Sequence, residues 1–324
     1  MFSAFAHFSD GSVERIQSVD ALAETWSKEG TVVWVDLEGA MEEELRALDR
    51  VIPVEEAAVE DCLRGEQRPR IDEYEDYAFV VLYGAVGPEP DPVLQPRKLA
   101  AFCGRRFLIT VHREPLRAIN TVRERCGRHG AKVLAGGVDT LLYQIVDMMV
   151  DNFLALADNY EDRLEELEEA SLARNVDESI LEDVLNLRRG LLELRHVAAS
   201  QREVFTLLAE GELDYISETL SQQFSHVRDH LIKAVELIDA QRERLTGVRD
   251  NYHTTLAIRT NSVMKTLTVF AAVLLPLSVV TGIYGMNLPL WPPPEHPLSF
   301  WVVLLIMLAI GGGLLLYFRR RKWL

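Results

Sequence analysis

Cysteine is scarce: Cys62, Cys103 and Cys126 stand far apart in 324 residues and form no C-x-x-C pair. That argues against both a disulfide framework and a cysteine-built zinc site. Basic charge is in deficit, with 34 Lys and Arg against 50 Asp and Glu, a formal net charge of −16. A nucleic-acid binder presents a basic face, so that class is disfavoured. No H-E-x-x-H, G-x-S-x-G or spaced histidine cluster is present, and no G-x-G-x-x-G or P-loop opens a helix after a strand. The chain therefore reads as no enzyme. Its first residues, MFSAFAHFSD, lack the basic and apolar segments of a secretory signal, and none is expected.

Charge is scarcest towards the end. Val263–Ile283 holds one charged residue, Lys265, and Leu298–Phe318 holds none. Each stretch is 21 residues, and about 20 helical residues cross a hydrocarbon core. The pair predicts a transmembrane hairpin, in which Pro276 and Gly282 are tolerated. Arg259 and Lys265 flank its start, Arg319–Lys322 follow its end, and the loop between has no Lys or Arg. By the positive-inside rule both ends are cytoplasmic, which places the chain in the inner (plasma) membrane with its N- and C-termini inside. Residues 1–262 carry 29 basic and 49 acidic side chains, a difference of −20, so an acidic cytoplasmic body is expected.

Within that body, Thr31–Leu37, Ala78–Tyr83 and Phe107–Val111 are rich in Val, Ile and aromatics and read as strands. Met41–Asp49, Glu55–Leu63 and Leu116–Gly127 read as short helices, and the four-proline stretch Gly87–Pro96 as a loop. Residues 1–137 are thus a small α/β domain with a mixed sheet. A long-helix and stalk domain follows over 138–262, with helices at Val138–Ala170 and Val176–Ala209. The acidic run Asp158–Glu169 reads as a solvated face, a cation-attracting surface, or a contact for the basic tail of the same assembly. From Glu212 to Ile283 only Pro276, Gly247 and Gly282 interrupt helical composition. A helix of such length, roughly 108 Å at 1.5 Å per residue, must be covered by partners or by copies of itself. Residues 263–324 are the two-helix pore domain with its basic tail. The fold class is α+β.

One stripe of the long helix reads Asp250, Asn261, Met264, Thr268, Ala271, Leu275 and Ser278, in steps of three and four from Asn261 on. A single hairpin encloses no water path, but several copies around an axis do, with this stripe as the lining. Met264, Leu267 or Thr268, and Leu275 would form a dewetting constriction. Asn261 and Asp250 would hold a hydrated cation below it.

The first span ends in Tyr284-Gly285-Met286-Asn287. With this motif, the MKTLTVFAAVLLPLSVVTGIYGMN run, the loop holding Pro294-Glu295, the terminal YFRRRKWL and Arg68–Leu82, the chain resembles the CorA family of divalent-cation channels over essentially its full length. The resemblance implies a homopentamer whose stalk helices continue into an inner ring of membrane helices. It also implies potential-driven Mg²⁺ influx, with Co²⁺ and Ni²⁺ as further cargo. Gly285, Met286 and Asn287 become the selectivity filter: five Asn287 amides face the ion's hydration shell, Gly285 sets the turn, and Met286 packs, its thioether suiting softer metals. Glu295 in the outer loop attracts cations at a distance. His296 beside it supplies too few ligands for a zinc site. Gating by intracellular Mg²⁺ between protomers is implied too, with Glu89 and Asp91 on one side. On the stalk His226 replaces the family's carboxylate, and Asp229 stands one turn away. Mg²⁺ is then both cargo and regulator, with no organic cofactor. A Zn²⁺ transporter of the same superfamily, proton-coupled or not, is the alternative. Its proton coupling is weakened by the lack of a buried Asp, Glu or His in either span. A non-conducting membrane-anchored scaffold would explain the stalk and hairpin but not the stripe and motif in register.

Overall fold

The computed structural model describes residues 1–65, 67–87, 94–173, 179–211, 213–286, 291, 293 and 298–323. Two compact units emerge, one comprising Met1–Ala170 with Glu178–Val248, the other Ser171–Asp177 with Arg249–Leu324.

The first unit is built on seven strands: β1 (Phe2–His7), β2 (Val13–Ile16), β3 (Val32–Glu38), β4 (Arg70–Glu73), β5 (Tyr77–Val86), β6 (Gln95–Gly104) and β7 (Phe107–His112). They form one sheet in the order β2-β1-β3-β7-β6-β5-β4. Only β3 and β7 run parallel, Val33 facing Phe107 and Glu38 facing His112; every other pairing is antiparallel. The sheet is mixed, as expected. Helices α1 (Val19–Trp26), α2 (Glu42–Asp49) and α3 (Glu56–Leu63) cover one face, packing Leu22, Leu45, Leu48, Ala58 and Val59 against Val33, Val35, Phe79 and Ile109. On the other side α4 (Arg117–Leu134) lies on β1 and β2, while α6 (Ser179–Ser200) and α7 (Arg202–Glu210) lie on β5 and β4. Covered on both faces, β5 reads as a nearly continuous apolar run, which made it legible.

Several boundaries differ from the sequence reading. The loop expected at Gly87–Pro96 ends sooner, because Gln95 and Pro96 already pair with Val86 and Ala85; residues 88–93 lie outside the described set. The helix from Leu116 runs on past Gly127, with a non-helical kink at His129. Val176–Ala209 is not one helix but α6 and α7, broken at Gln201. The break has a cause in the sheet. Strand β4 reaches only to Val81 of β5, so Tyr83 has no strand beyond it. Gln201, 1% exposed, stands in: its Oε1 accepts from Tyr83 N at 2.9 Å and its Nε2 donates to Tyr83 O at 3.0 Å.

The long helices are α5 (Val138–Ser171) and α8 (Glu218–Tyr284). α8 starts six residues later than the composition suggested. Gly211, in the left-handed region at φ 72°, ends α7, and Leu213 and Ile216 are buried in the connection. Its 67 residues correspond to about 100 Å of helix. Glu161 and Glu168 of the acidic run meet Arg244 of α8, at 2.9 Å for Glu168, so part of that run is paired rather than solvated. Gly190 of α6 is a steric necessity: a Cβ there would lie 2.4 Å from the Tyr160 hydroxyl of α5.

Where β3 and β7 run parallel, their carboxyl ends bury charge. Asp36 is 1% exposed; Thr110 Oγ1 donates to its Oδ1 at 2.7 Å, His112 Nε2 lies 3.1 Å from the same oxygen, and Arg123 of α4 donates to Oδ2 at 3.2 Å. The second ring nitrogen of His112 is 2.7 Å from the Glu114 carbonyl. Both nitrogens thus face acceptors, which suits imidazolium. Burial pushes the His112 pKa down. The hydrogen bond and charge of Asp36, with the Glu114 carbonyl and Glu38, outweigh it and raise it above the ordinary 6.5.

Two outcomes are expected. Gln201→Leu orphans two buried main-chain groups and costs about 3 kcal/mol; denaturant unfolding of the full-length protein in detergent reads this as a lowered midpoint. For His112 the folded pKa is raised, so its contribution is full below the unfolded value near 6.5 and is lost as pH rises through the folded value. Melting temperature from about pH 6 to about pH 9 should fall in wild type, and that slope should flatten in His112→Gln. A slope unchanged by His112→Gln would contradict the assignment.

Candidate functional site

Among the described residues three helices are long and apolar enough to cross a membrane: α5, α8 and α9 (Ser299–Arg320). Half of the most apolar window of α5 is buried, its apolar face being used in the first unit's core. For α8 and α9 the buried shares are 6% and 11%. These two carry the second unit's uncovered apolar surface, which fits segments whose solvent is lipid.

Backbone continuity comes first. In a medium without water a helix must satisfy its own N–H and C=O groups. α8 does so through Tyr284 with one exception, Pro276, which has no N–H to offer to the carbonyl one turn earlier. Pro276 is half-buried, as are Lys265, Ala272, Val273, Leu277 and Val280, while Val269 is buried. The steps of three and four make these one face. Its partner is α9, where Gly311 comes so close that a Cβ on it would sit 3.8 Å from Leu277 Cδ1. Small residues permit such approach between membrane helices.

The candidate pore stripe lies on the rest of the helix surface. Asn261, Met264, Leu267, Thr268, Ala271, Leu275 and Ser278 are all exposed in the single chain, Met264 to 61%, Leu267 to 67% and Leu275 to 66%. These seven lie on the uncovered surface of the helix, and the covered face borders them, Lys265 and Ala272 each standing one turn from Thr268. Thr268 Oγ1 donates to Met264 O at 2.7 Å. That uses the hydroxyl hydrogen within the helix and leaves the oxygen's lone pairs as acceptors. Asp250 is exposed as well, 3.2 Å from the guanidinium of adjacent Arg249. Asp229, on the part of α8 in the first unit, is likewise exposed, 3.3 Å from Arg228. Exposed pairs of this kind contribute little, so neither carboxylate is firmly committed.

At the end of α8, Gly285 N donates to Thr281 O at 2.9 Å and Met286 N to Ile283 O at 3.2 Å, tightening the last turn. Gly285 is not among the glycines with positive φ. Its requirement is closeness: a Cβ would lie 3.1 Å from Thr281 O. Met286 is 54% exposed. Tyr284 Oη donates to Trp291 O at 3.1 Å, and Ser299 Oγ to Pro293 O at 2.5 Å. Asn287, Glu295 and His296 lie outside the described residues, as do Glu89 and Asp91. Among the described residues no three His, Cys, Asp or Glu side chains are grouped to hold a metal ion. Mg²⁺ takes six oxygen ligands at roughly 2.1 Å, so Asp229 alone does not make a regulatory site within one chain.

The buried charges around Asp36 and the docking role of Gln201 were not legible in the sequence. Neither leaves a local signal, since their partners lie 74 to 118 residues away.

A family model described as CorA-like Mg²⁺ transporter protein matches residues 29–320. YfjQ of Bacillus subtilis is 32% identical over 292 residues, 90% of this chain and 89% of its own. The cobalt/magnesium transport protein CorA of Thermotoga maritima is 28% identical over 295 residues, 91% of this chain and 84% of its own. Among solved structures, the complete CorA magnesium transporter of Methanocaldococcus jannaschii superposes with a TM-score of 0.85 at 25% identity, covering 99% of this chain and 98% of that one. With its α+β unit, long helices and two apolar C-terminal helices, the first ending at Gly-Met-Asn, this chain belongs to the CorA-like family of divalent metal-ion transporters.

Proposed function

We propose that the chain is a homopentameric channel for potential-driven Mg²⁺ influx, in the inner (plasma) membrane, with both termini cytoplasmic. The observation that carries this reading is the open face of α8. Asn261, Met264, Thr268, Ala271, Leu275 and Ser278 are exposed while the bordering face packs toward α9. An exposed stripe that alternates amide, apolar and hydroxyl groups is poorly suited to lipid and well suited to a shared water path. Five copies close such a path; one cannot.

The proposed roles follow the order along the helix. Asp250 draws cations to the cytoplasmic end, and Asn261 offers an amide oxygen to a hydrated ion. Met264, Leu267 and Leu275 narrow the path with apolar side chains that stop ions by dewetting. Thr268 and Ser278 contribute hydroxyl acceptors. Gly285, Met286 and Asn287 form the outer filter, with Glu295 raising cation concentration beyond it. Amide and hydroxyl oxygens suit a hard ion that keeps its waters, because they hold it without the full charge that would trap it. The membrane potential supplies the direction: two charges across 100 mV correspond to about 4.6 kcal/mol. Intracellular Mg²⁺ is the proposed regulator, bound between protomers with Glu89, Asp91 and Asp229 contributing.

Two measurements test the reading. In proteoliposomes with an inside-negative potential, wild type should carry Mg²⁺, and Asn287→Ala should reduce influx to background at equal pentamer content. Undiminished influx would sink the filter assignment, conduction by a stable monomer or dimer would sink the assembly, and Zn²⁺ flux requiring a pH gradient would move the chain to the zinc reading. The second measurement uses single cysteines on the wild-type background. The native thiols interfere little, since burial pushes Cys62, Cys103 and Cys126 up to about 12. Cysteine at Asn261, Thr268 or Ser278 should react with a small cationic thiol reagent about tenfold faster than cysteine at Val269 or Val273. Equal rates would show that the stripe does not line water.

A further inference from the structure

A second site is indicated in the first unit. The chain leaves β3 into α2 and α3, whose Leu45, Leu48, Ala58 and Cys62 join the core on one face of the sheet. It leaves the neighbouring parallel strand β7 into α4, which packs on β1 and β2 and contributes to Asp36 from the other face. A cavity of about 260 Å³ lies at the exit of β7 on the side away from β3, between the end of α3 and strands β5 and β6. Arg64, Arg97, Lys98 and Arg113 line it, with Glu114 as the one carboxylate.

This is an excess of cations in a body that carries 49 acidic and 29 basic side chains. Part of it has a structural explanation. Lys98 Nζ donates to the carbonyls of Asp61 and Arg64, and Arg113 to that of Leu63, so both cap the carboxyl end of α3. Capping leaves those charges unneutralised, since carbonyls carry none. Arg97 likewise donates through Nη1 to the Pro115 carbonyl, which leaves its charge unneutralised, and Arg64 takes no part in the capping. The Arg97 side chain is 19% exposed, and its Nε is buried and makes no hydrogen bond, although Glu114 Oε2 lies 3.0 Å away. Arg64 is 68% exposed at the rim, with one amino group on Glu60 at 2.6 Å. His112 closes the wall, but both its ring nitrogens are engaged, by Asp36 and the Glu114 carbonyl, so it offers the cavity no donor.

We propose that this cavity binds a small phosphate-bearing anion of about diphosphate size through Arg64, Arg97, Lys98 and Arg113. Guanidinium forks match phosphate oxygens in pairs, and the surplus positive charge balances a multiply charged anion better than a single carboxylate. The volume lies below the roughly 300 Å³ at which pockets begin to hold drug-sized molecules, which favours the phosphate group itself over a larger body.

The test is calorimetric titration of the full-length protein in detergent with inorganic pyrophosphate, with and without Mg²⁺, and with sulfate as competitor. One pyrophosphate per chain is expected. Arg64→Gln should weaken it about tenfold, the loss of one charge-assisted contact, and Arg64→Gln/Arg97→Gln should weaken it further. The exposed Arg46→Gln, outside the cavity, should leave it unchanged, as should the melting temperature of ligand-free Arg64→Gln. Absence of saturable binding to wild type would overturn the proposal. So would pyrophosphate binding unaffected by Arg64→Gln, or displaced equally by sulfate. Should the double variant fail to fold, the exposed Arg64→Gln decides alone. Binding is read without ion flux, so failure here leaves the channel reading untouched, and the converse holds.

Discussion

The hydrogen-bond ladder of α8 is the constraint on which the functional reading rests. A chain that enters an apolar medium can satisfy its peptide groups only within itself, and over 67 residues α8 does so with a single proline. Once the backbone is closed in this way, each residue's contribution is decided by the direction of its side chain. A helix has one face to give to a neighbour. Here that face runs from Lys265 through Val269 and Ala272 to Val280, and the remaining surface is left for lipid or for other copies.

Much of this was legible because it depends on local periodicity. The apolar lengths of the two spans and the three-and-four spacing of the stripe follow from helix geometry alone. Strands β3, β5 and β7 were readable for a similar reason, their Val, Ile and aromatic content being continuous. What escaped depends on partners distant in sequence. β6 opens with Gln-Pro-Arg-Lys, which has no strand signal, and is held in the sheet by pairing with β5 along its whole length. Gln201 has ordinary helix propensity, yet it interrupts a helix because a strand edge 118 residues earlier needs an amide. Gly285 was expected for a turn and for close backbone approach; its φ is not positive, and the approach to Thr281 O is what a side chain would disturb.

Net charge proved a coarse guide. Several acids of the first unit are taken up inside it: Asp36 by His112 and Arg123, Asp239 by Arg195 and Arg242, and Glu161 and Glu168 by Arg244. The acidic surplus therefore overstates the field available to a passing cation. Asp229 and Asp250 differ from these in kind. Each touches only the arginine beside it, in an exposed pair that water and salt screen readily.

The placement of charge within the first span bears most directly on the ion's sign. Lys265 is the one ionisable side chain between Val263 and Ile283. It is half-buried on the side of α8 that carries Val269 and Pro276, while Asn261, Thr268 and Ser278 stand exposed on another. An ammonium directed along the stripe would repel a divalent cation in a low-dielectric setting far more strongly than in water. Lys265 stands one turn from both Asn261 and Thr268, so its half-burial is what holds the ammonium off the polar groups of the proposed lining, an amide and two hydroxyls. Thr268 goes further, since its hydrogen is already given to Met264 O and its oxygen can only accept. The proposed preference for positive ions therefore rests on acceptors such as the Thr268 oxygen and on Lys265 staying half-buried rather than extending over the stripe.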